Sequence, residues 1–173
     1  ILITYLVYYL QSVSAMDFVT ASSYLAVLQF SGLAGRVLWG VCSDYWYSHR
    51  RRLFIVILFV STALALLFLR FGPSLSPLLL GVCILLMGIF TNGWNGLYMV
   101  VMVEAAPPSV AGKVTGLNLV FVYTGIMSGP LLFGLILHAI PVETAMYAVP
   151  FFILTAAVLL LNMRTTHPVR REG

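Results

Sequence analysis

Two apolar stretches of the sequence carry polar side chains at helical spacing. The stretch 91–98 places four of them at i, i+3, i+4 and i+7, namely Thr91, Trp94, Asn95 and Tyr98. The stretch 1–14 repeats this spacing with Tyr5, Tyr8, Tyr9 and Ser12. Each set occupies one face of a helix. These side chains can hydrogen-bond to a solute or stack on it, but a lipid-facing row of them is costly. We therefore expect both faces to point to protein or to water.

The sequence has no arrangement suited to covalent chemistry. It contains no nucleophile–base pair, no phosphate-binding loop and no redox motif, and its three His and two Cys lack the spacing of a ligand set. We expect no enzyme activity, no catalytic residue, no cofactor and no metal site.

The composition is that of a membrane protein. Only 8% of the residues are charged, 61% are hydrophobic, and the mean hydropathy is +1.04. Soluble domains carry about 25% charged residues. The net charge of +4 is read as a topology signal rather than as a nucleic-acid surface, and the bilayer is the expected partner.

Six apolar runs predict an all-α protein with six transmembrane helices, at 1–14, 18–41, 53–69, 78–103, 114–137 and 145–163. Helices rather than strands are expected because each segment then satisfies its own backbone groups in lipid. The first run is shorter than the roughly 20 residues a span needs. It begins as ILITYLVYYL, without Met, so we expect a fragment whose first helix is truncated.

The basic residues predict the orientation. With six spans, every Lys and Arg but Arg70 falls on one side: Arg36, Arg50, Arg51, Arg52, Lys113, Arg164, Arg170 and Arg171. The positive-inside rule then places the loop 44–52 and the basic tail 164–173 in the cytoplasm, with the protein in the cell (inner) membrane.

The stretch GRVLWGVCSDYWYSHRRR, residues 35–52, joins the second span to the third. Arg36, Gly40 and Asp44 share a helix face at i, i+4 and i+8. With Arg50 to Arg52, the stretch resembles the major facilitator superfamily, whose loop signature is G-x-x-x-D-x-x-x-x-x-[RK]-[RK], although the spacing here is slightly irregular. The resemblance implies one six-helix half of a twelve-helix bundle, which transports a solute by alternating access.

In that family the loop is understood as a cytoplasmic latch. The resemblance implies that Asp44 lies near a helix N-terminus of the opposite half, where the dipole favours an anion. It also implies that the arginines pair with acidic helix ends, and Glu104 is the candidate partner of Arg36 or Arg52. The alternative is that the basic residues only anchor the helix ends at the headgroups.

The region NGWNGLYMVVMVEAAPPSVAGKVTGLNL, residues 92–119, resembles the tenth-to-eleventh helix region of the family. Residues 1–163 would then be the C-terminal half, helices seven to twelve, and the N-terminal half would be its missing partner. One motif argues the other way, because it resembles a fifth-helix signature of drug–proton antiporters. It consists of Gly116, Gly125, Gly129, Pro130 and Gly134. We interpret it as the symmetry-related eleventh-helix counterpart, and we expect Gly125, Gly129, Pro130 and Gly134 to serve close helix packing.

In the family the first and fourth helices of each half line the central cavity. The resemblance therefore implies a substrate cavity lined by Tyr5, Tyr8, Gln11, Asn92, Trp94, Asn95 and Tyr98, joined by Asn118 and Tyr123. Gly93 and Gly96 could loosen the fourth helix there. A neutral or aromatic small molecule would suit these groups, whereas an anion would need cations from the other half. A coupling proton or ion is possible. The alternative is that these side chains only bond neighbouring helices or lie in an interfacial belt.

The function expected from the sequence is secondary active transport of a small solute. One alternative is a membrane enzyme or its scaffold subunit, which predicts a cluster of His, Asp or Glu that this sequence lacks. The other is a membrane interaction protein that transports nothing.

Overall fold

The computed structural model describes residues 1–45, 50–104, 106–107 and 109–162, without the side chain of Glu104. Within these ranges all regular structure is helical. The helices are α1 (Leu2–Ser14), α2 (Phe18–Tyr45), α3 (Arg50–Phe71), α4 (Pro77–Met87), α5 (Asn95–Glu104), α6 (Ala111–Ile136), α7 (Val142–Ala145) and α8 (Ala148–Asn162). A 3-10 turn, Gly72–Ser74, follows α3, and a π-helical turn, Gly88–Asn92, connects α4 towards α5. The centre of the loop 44–52 and the tail 164–173 lie outside the described residues.

Five helical segments of the described chain are long and apolar enough to cross a membrane: Phe18–Tyr45, Arg50–Ser74, Pro77–Val103, Ala111–Ile136 and Val142–Asn162. They coincide with the last five apolar runs of the sequence, so the all-α membrane class is confirmed. Helix α1 has 13 residues, which at about 1.5 Å per residue cover roughly 20 Å of a core about 30 Å thick. The described α1 is therefore too short to span the core.

Local sequence signals define several helix ends. The Thr20 amide donates to Asp17 Oδ2 over 3.0 Å at the start of α2, as an N-terminal capping residue does. Hydrogen bonds from Thr20 lower the pKa of the Asp17 carboxyl below its usual value of 3.8. Ala15 caps the C-terminus of α1: its φ of 49° is left-handed, and its amide donates to Leu10 O. Pro77 begins α4.

The buried side chains form two clusters at different levels of the bundle. One joins α1, α3 and α6 and centres on the aromatic side chains of Tyr9, Phe68 and Phe133. The other lies where α3, α5 and α8 meet, around Ile57 and Leu97. Helix α3 contributes most to the described core, whereas α6 buries only Phe133. Most of the apolar surface of α6 therefore remains exposed on this chain.

Helix α2 approaches the interrupted helix α4–α5 very closely. A Cβ on Gly35 would lie 2.7 Å from Ile89 O and 3.1 Å from Gly93 Cα, and one on Gly93 would lie 2.8 Å from Gly35 Cα. Trp39 Nε1 donates to Ile89 O over 2.9 Å, within the interruption, where the regular helical bonding is broken. This glycine junction fixes the start of α5 against α2.

Candidate functional site

A cavity of about 220 Å³ lies between α2, α5 and α6. Its polar lining comes from all three helices and consists of Arg36, Asn95, Tyr98 and Tyr123. The apolar lining consists of Met99, Leu119, Val122 and Ile126. The space is open on one side, because Arg36, Tyr123 and Ile126 are exposed on this chain. Its lining combines an apolar wall with a few convergent polar groups, as the linings of small-molecule sites do.

The cavity lies deep within the spans rather than at their ends. Arg36 is nine residues before the last described residue of α2, and Asn95 is nine residues before the end of α5. At about 1.5 Å per residue, both lie roughly 14 Å from those helix ends. This is about half the thickness of a bilayer core, so the polar lining of the cavity lies at membrane depth.

Tyr98 is held in the cavity wall by a hydrogen bond and by ring contacts. Its hydroxyl donates to Asn118 Oδ1 over 2.5 Å, which links α5 to α6. The Trp94 ring meets it edge-on at 5.4 Å between centroids, and the Phe54 ring lies at 5.9 Å. The other end of the Asn118 amide, Nδ2, is buried without a hydrogen-bond partner among the described residues. Tyr98 therefore presents a fixed hydroxyl oxygen whose proton is already committed.

The other predicted residues around the interruption mainly bond to protein. Asn92 Nδ2 donates to Gln29 Oε1 of α2 over 3.1 Å, and Trp94 Nε1 donates to Thr91 O over 2.8 Å. Asn95 Nδ2 makes only a long bond of 3.4 Å to the Asn92 carbonyl. Of this predicted group, Asn95 and Tyr98 line the cavity, whereas Asn92 and Trp94 position the chain beside it.

The predicted residues of α1 are not among those lining this cavity. The Tyr5 hydroxyl donates to Pro130 O over 2.8 Å, and a Cβ on Gly134 would lie 2.9 Å from that hydroxyl. Tyr8 and Gln11 are exposed on the chain surface. Helix α1 therefore contacts α6 through Tyr5, at the level of Pro130 and Gly134.

The small residues of α6 differ in what they face. A Cβ on Gly125 would meet nothing within 4 Å, and one on Gly129 would reach only the Ile1 side chain, at 3.9 Å. Within the described chain, helices approach more closely along α2, at Gly35 and also at Leu28, whose carbonyl oxygen would clash with a Cβ on Gly88. The sequence pattern did not single out this contact of α2.

Two basic residues of the predicted latch bond to helix ends of this same chain. Arg50 Nε donates to Ser43 O over 3.0 Å, and Arg50 Nη2 pairs with Asp44 Oδ1 at 3.2 Å. Arg51 Nη2 donates to Leu160 O in the last turn of α8. A cation near the last carbonyls of a helix is favourable. These bonds fasten the beginning of α3 to the ends of α2 and α8.

The remaining predicted latch residues that the structure describes lie in different surroundings. Gly40 has open space around it, and Arg52 is exposed. Glu104 ends α5, but its side chain lies outside the described residues. Arg36 lines the cavity, and no ion pair or side-chain hydrogen bond joins it to another described residue. A charged residue well inside an apolar span signals a functional position, and this signal in the sequence could have assigned Arg36 to the cavity.

The sequence model of the Major Facilitator Superfamily matches residues 1–173, the whole chain. No curated protein matches significantly, and no solved structure does either.

Proposed function

Because this chain belongs to the Major Facilitator Superfamily, a family of membrane transporters and not of enzymes, we propose that it is the C-terminal six-helix half of a secondary active transporter. It is an integral, multi-pass membrane protein. In the proposed mechanism it carries a small solute by rocking against an N-terminal half around a site at mid-depth.

The cavity between α2, α5 and α6 is the observation that carries this proposal. It combines polar side chains from three helices with a depth of roughly 14 Å from the helix ends. Polar groups in a membrane are retained where they face a partner or a water-filled path. A protein that only anchors or scaffolds would not need such a lining.

We propose that α1 belongs to the first of six spans and so completes the half bundle. Leu6, Tyr9 and Leu10 of α1 are buried in the same cluster as residues of α3 and α6, so α1 packs as a member of the bundle. In the twelve-helix arrangement, the exposed apolar surface of α6 would be covered by lipid or by the N-terminal half. The spans from α1 to α8 then correspond to helices seven to twelve.

The proposed orientation puts the loop 44–52, the end of α5 and the tail 164–173 in the cytoplasm, in the inner membrane of the cell. The Asp44 side chain is 79% exposed although it pairs with Arg50. It is therefore accessible to a helix N-terminus of the opposite half, as the latch requires. The proposed latch would contact the other half through Asp44, Arg52 and Glu104.

Alternating access can be tested without knowing the solute. We would place single cysteines at Val122, in the cavity, and at its neighbour Phe121, which is 70% exposed on the apolar surface of α6. The background would be the full-length protein lacking all its native cysteines, including Cys42 and Cys83. A membrane-impermeant thiol reagent is then applied to right-side-out and to inside-out vesicles.

The proposal predicts that Val122→Cys reacts from both sides, because the cavity opens to each in turn. Phe121→Cys should react from neither side, since lipid or protein covers it. A cysteine at Tyr45, 84% exposed, should react only from the cytoplasmic side. Labelling of Val122→Cys from one side alone, or from neither, would contradict a transporter and favour a static scaffold.

A further inference from the structure

We propose that the solute is a small organic monocarboxylate and that Arg36 binds its carboxylate, an inference that rests on the proposed transport function. The sequence analysis expected that an anion would need cations from the other half. The structure instead places a cation of this half in the cavity.

The charge of the cavity lining favours an anion. Arg36 is the one charged residue among those lining the described cavity, and it lies about as deep in the bundle as Asn95. No described acidic side chain pairs with it. Arg36 is exposed on this chain, so an anion can reach it, and a guanidinium at membrane depth is costly unless an opposite charge or a set of hydrogen bonds compensates it. A bound anion would supply both.

The hydrogen-bonding groups favour a carboxylate. The guanidinium presents a planar fork of donors that matches a carboxylate in two parallel bonds. Asn95 Nδ2 makes only one long bond, so it has donor capacity left. The Tyr123 hydroxyl also lines the cavity. Tyr98 cannot donate, because its proton goes to Asn118.

The single charge of Arg36 and the apolar wall of the cavity narrow the class of solute further. One cation balances one negative charge, whereas a phosphate monoester carries about 1.5 to 2 at neutral pH. Met99, Val122 and Ile126 form an apolar side of the cavity that a purely inorganic anion would leave without a contact. An organic acid with a short apolar body can pair with Arg36 and also contact the apolar wall.

The test measures equilibrium binding to the purified full-length protein by titration calorimetry. The probes are acetate, lactate and benzoate, each compared with its neutral amide, together with inorganic phosphate. The variants are Arg36→Gln and Arg36→Lys. The control is Arg70→Gln, because Arg70 is exposed, lies outside the cavity and contacts the Phe71 ring at 5.3 Å. Thermal unfolding without ligand checks that each variant is folded.

We expect at least one acid to bind at least about tenfold more tightly than its amide and than phosphate, since a charged hydrogen bond is worth that much or more. Arg36→Gln should weaken the binding of that acid by about ten- to a hundredfold and leave the binding of the amide unchanged. Arg36→Lys should retain part of the preference as a point charge. Arg70→Gln should bind like the wild type.

Three results would overturn the inference. The first is that no acid binds the wild type more tightly than its amide does. The others are that the preference for the acid survives Arg36→Gln, or that phosphate binds as tightly as the acids. The first needs no variant, so a misfolded variant cannot obscure it. If Val122→Cys is labelled from both sides but no acid is preferred over its amide, this inference fails and the transport proposal stands. A preference that depends on Arg36, with one-sided labelling, would keep the anion site and remove the transport proposal.

Discussion

Replacing Gly35 with alanine tests the glycine junction that holds the cavity wall together. The added Cβ would lie 2.7 Å from Ile89 O and 2.9 Å from Ile89 Cα. Both are backbone atoms, so no side chain can rotate away to make room. The helices must separate instead, and this displaces the interruption that positions Asn95 and Tyr98.

The size of the effect follows from two opposing contributions. Overpacking a close contact costs about 1–3 kcal/mol, whereas alanine in place of glycine inside a helix gains about 1 kcal/mol. Gly116 in α6 provides the matched control, because a Cβ there would meet nothing within 4 Å. Gly116→Ala should therefore show the gain alone. We expect Gly35→Ala to be less stable than Gly116→Ala by about 1–3 kcal/mol.

The assay is thermal unfolding of the full-length protein in detergent, followed by tryptophan fluorescence. For a domain of this length, 1 kcal/mol corresponds to about 2–4 °C in Tm. Gly35→Ala should unfold at least about 2 °C below Gly116→Ala. It should also lower the two-sided reactivity of Val122→Cys, since the cavity wall moves. Equal unfolding temperatures for the two alanine variants would refute the close approach of α2 to the interrupted helix.

Three further predictions concern single bonds. Tyr98→Phe should destabilise the protein by about 1 kcal/mol, because the Asn118 amide loses its hydrogen-bond donor; an unchanged Tm would contradict the bond. Arg51→Gln should speed hydrogen exchange in the last turn of α8, where the guanidinium bonds to Leu160 O; exchange as slow as in the wild type would argue against that cap. The pKa of Asp17 is lowered in the folded chain, so its carboxylate stabilises α2 above the unfolded pKa, and this contribution is lost as the pH falls through the folded pKa. Asp17→Asn keeps a capping oxygen without the charge, so its Tm should fall less than that of the wild type as the pH falls below 3.8, and identical pH profiles would contradict this.

The assignment of Arg36 changes how its helix is understood. Because Arg36, Gly40 and Asp44 share a helix face, the sequence suggested that all three belong to the cytoplasmic latch. In the structure, Asp44 pairs with Arg50 at the end of α2, whereas Arg36 lines the cavity. Eight residues along a helix correspond to about 12 Å, so a shared face does not imply a shared role.

The sequence by itself determined the class of the protein and the positions of its long helices. Apolar runs of about 20 residues have only one way to satisfy their backbone in lipid, and Asp17 and Pro77 define helix starts through local bonding and fixed dihedrals. These features depend on neighbours in the chain, so the pattern contains them. The interruption in α4–α5 is a partial case. Gly93 indicated it from its C-terminal end, whereas its π-helical form at Gly88–Asn92 was not predicted.

Only the tertiary structure decided which faces meet. Lipid and protein interior are equally apolar, so hydropathy does not distinguish the face of a span that contacts another helix from the face that contacts lipid. The pattern favoured Gly125 and Gly129 for packing and did not single out the close approach at Gly35 and Gly93. The pattern also did not indicate that the Tyr5 hydroxyl bonds to Pro130 O. The rotation of each helix about its own axis fixes these contacts, and that rotation is set by residues far away in the chain.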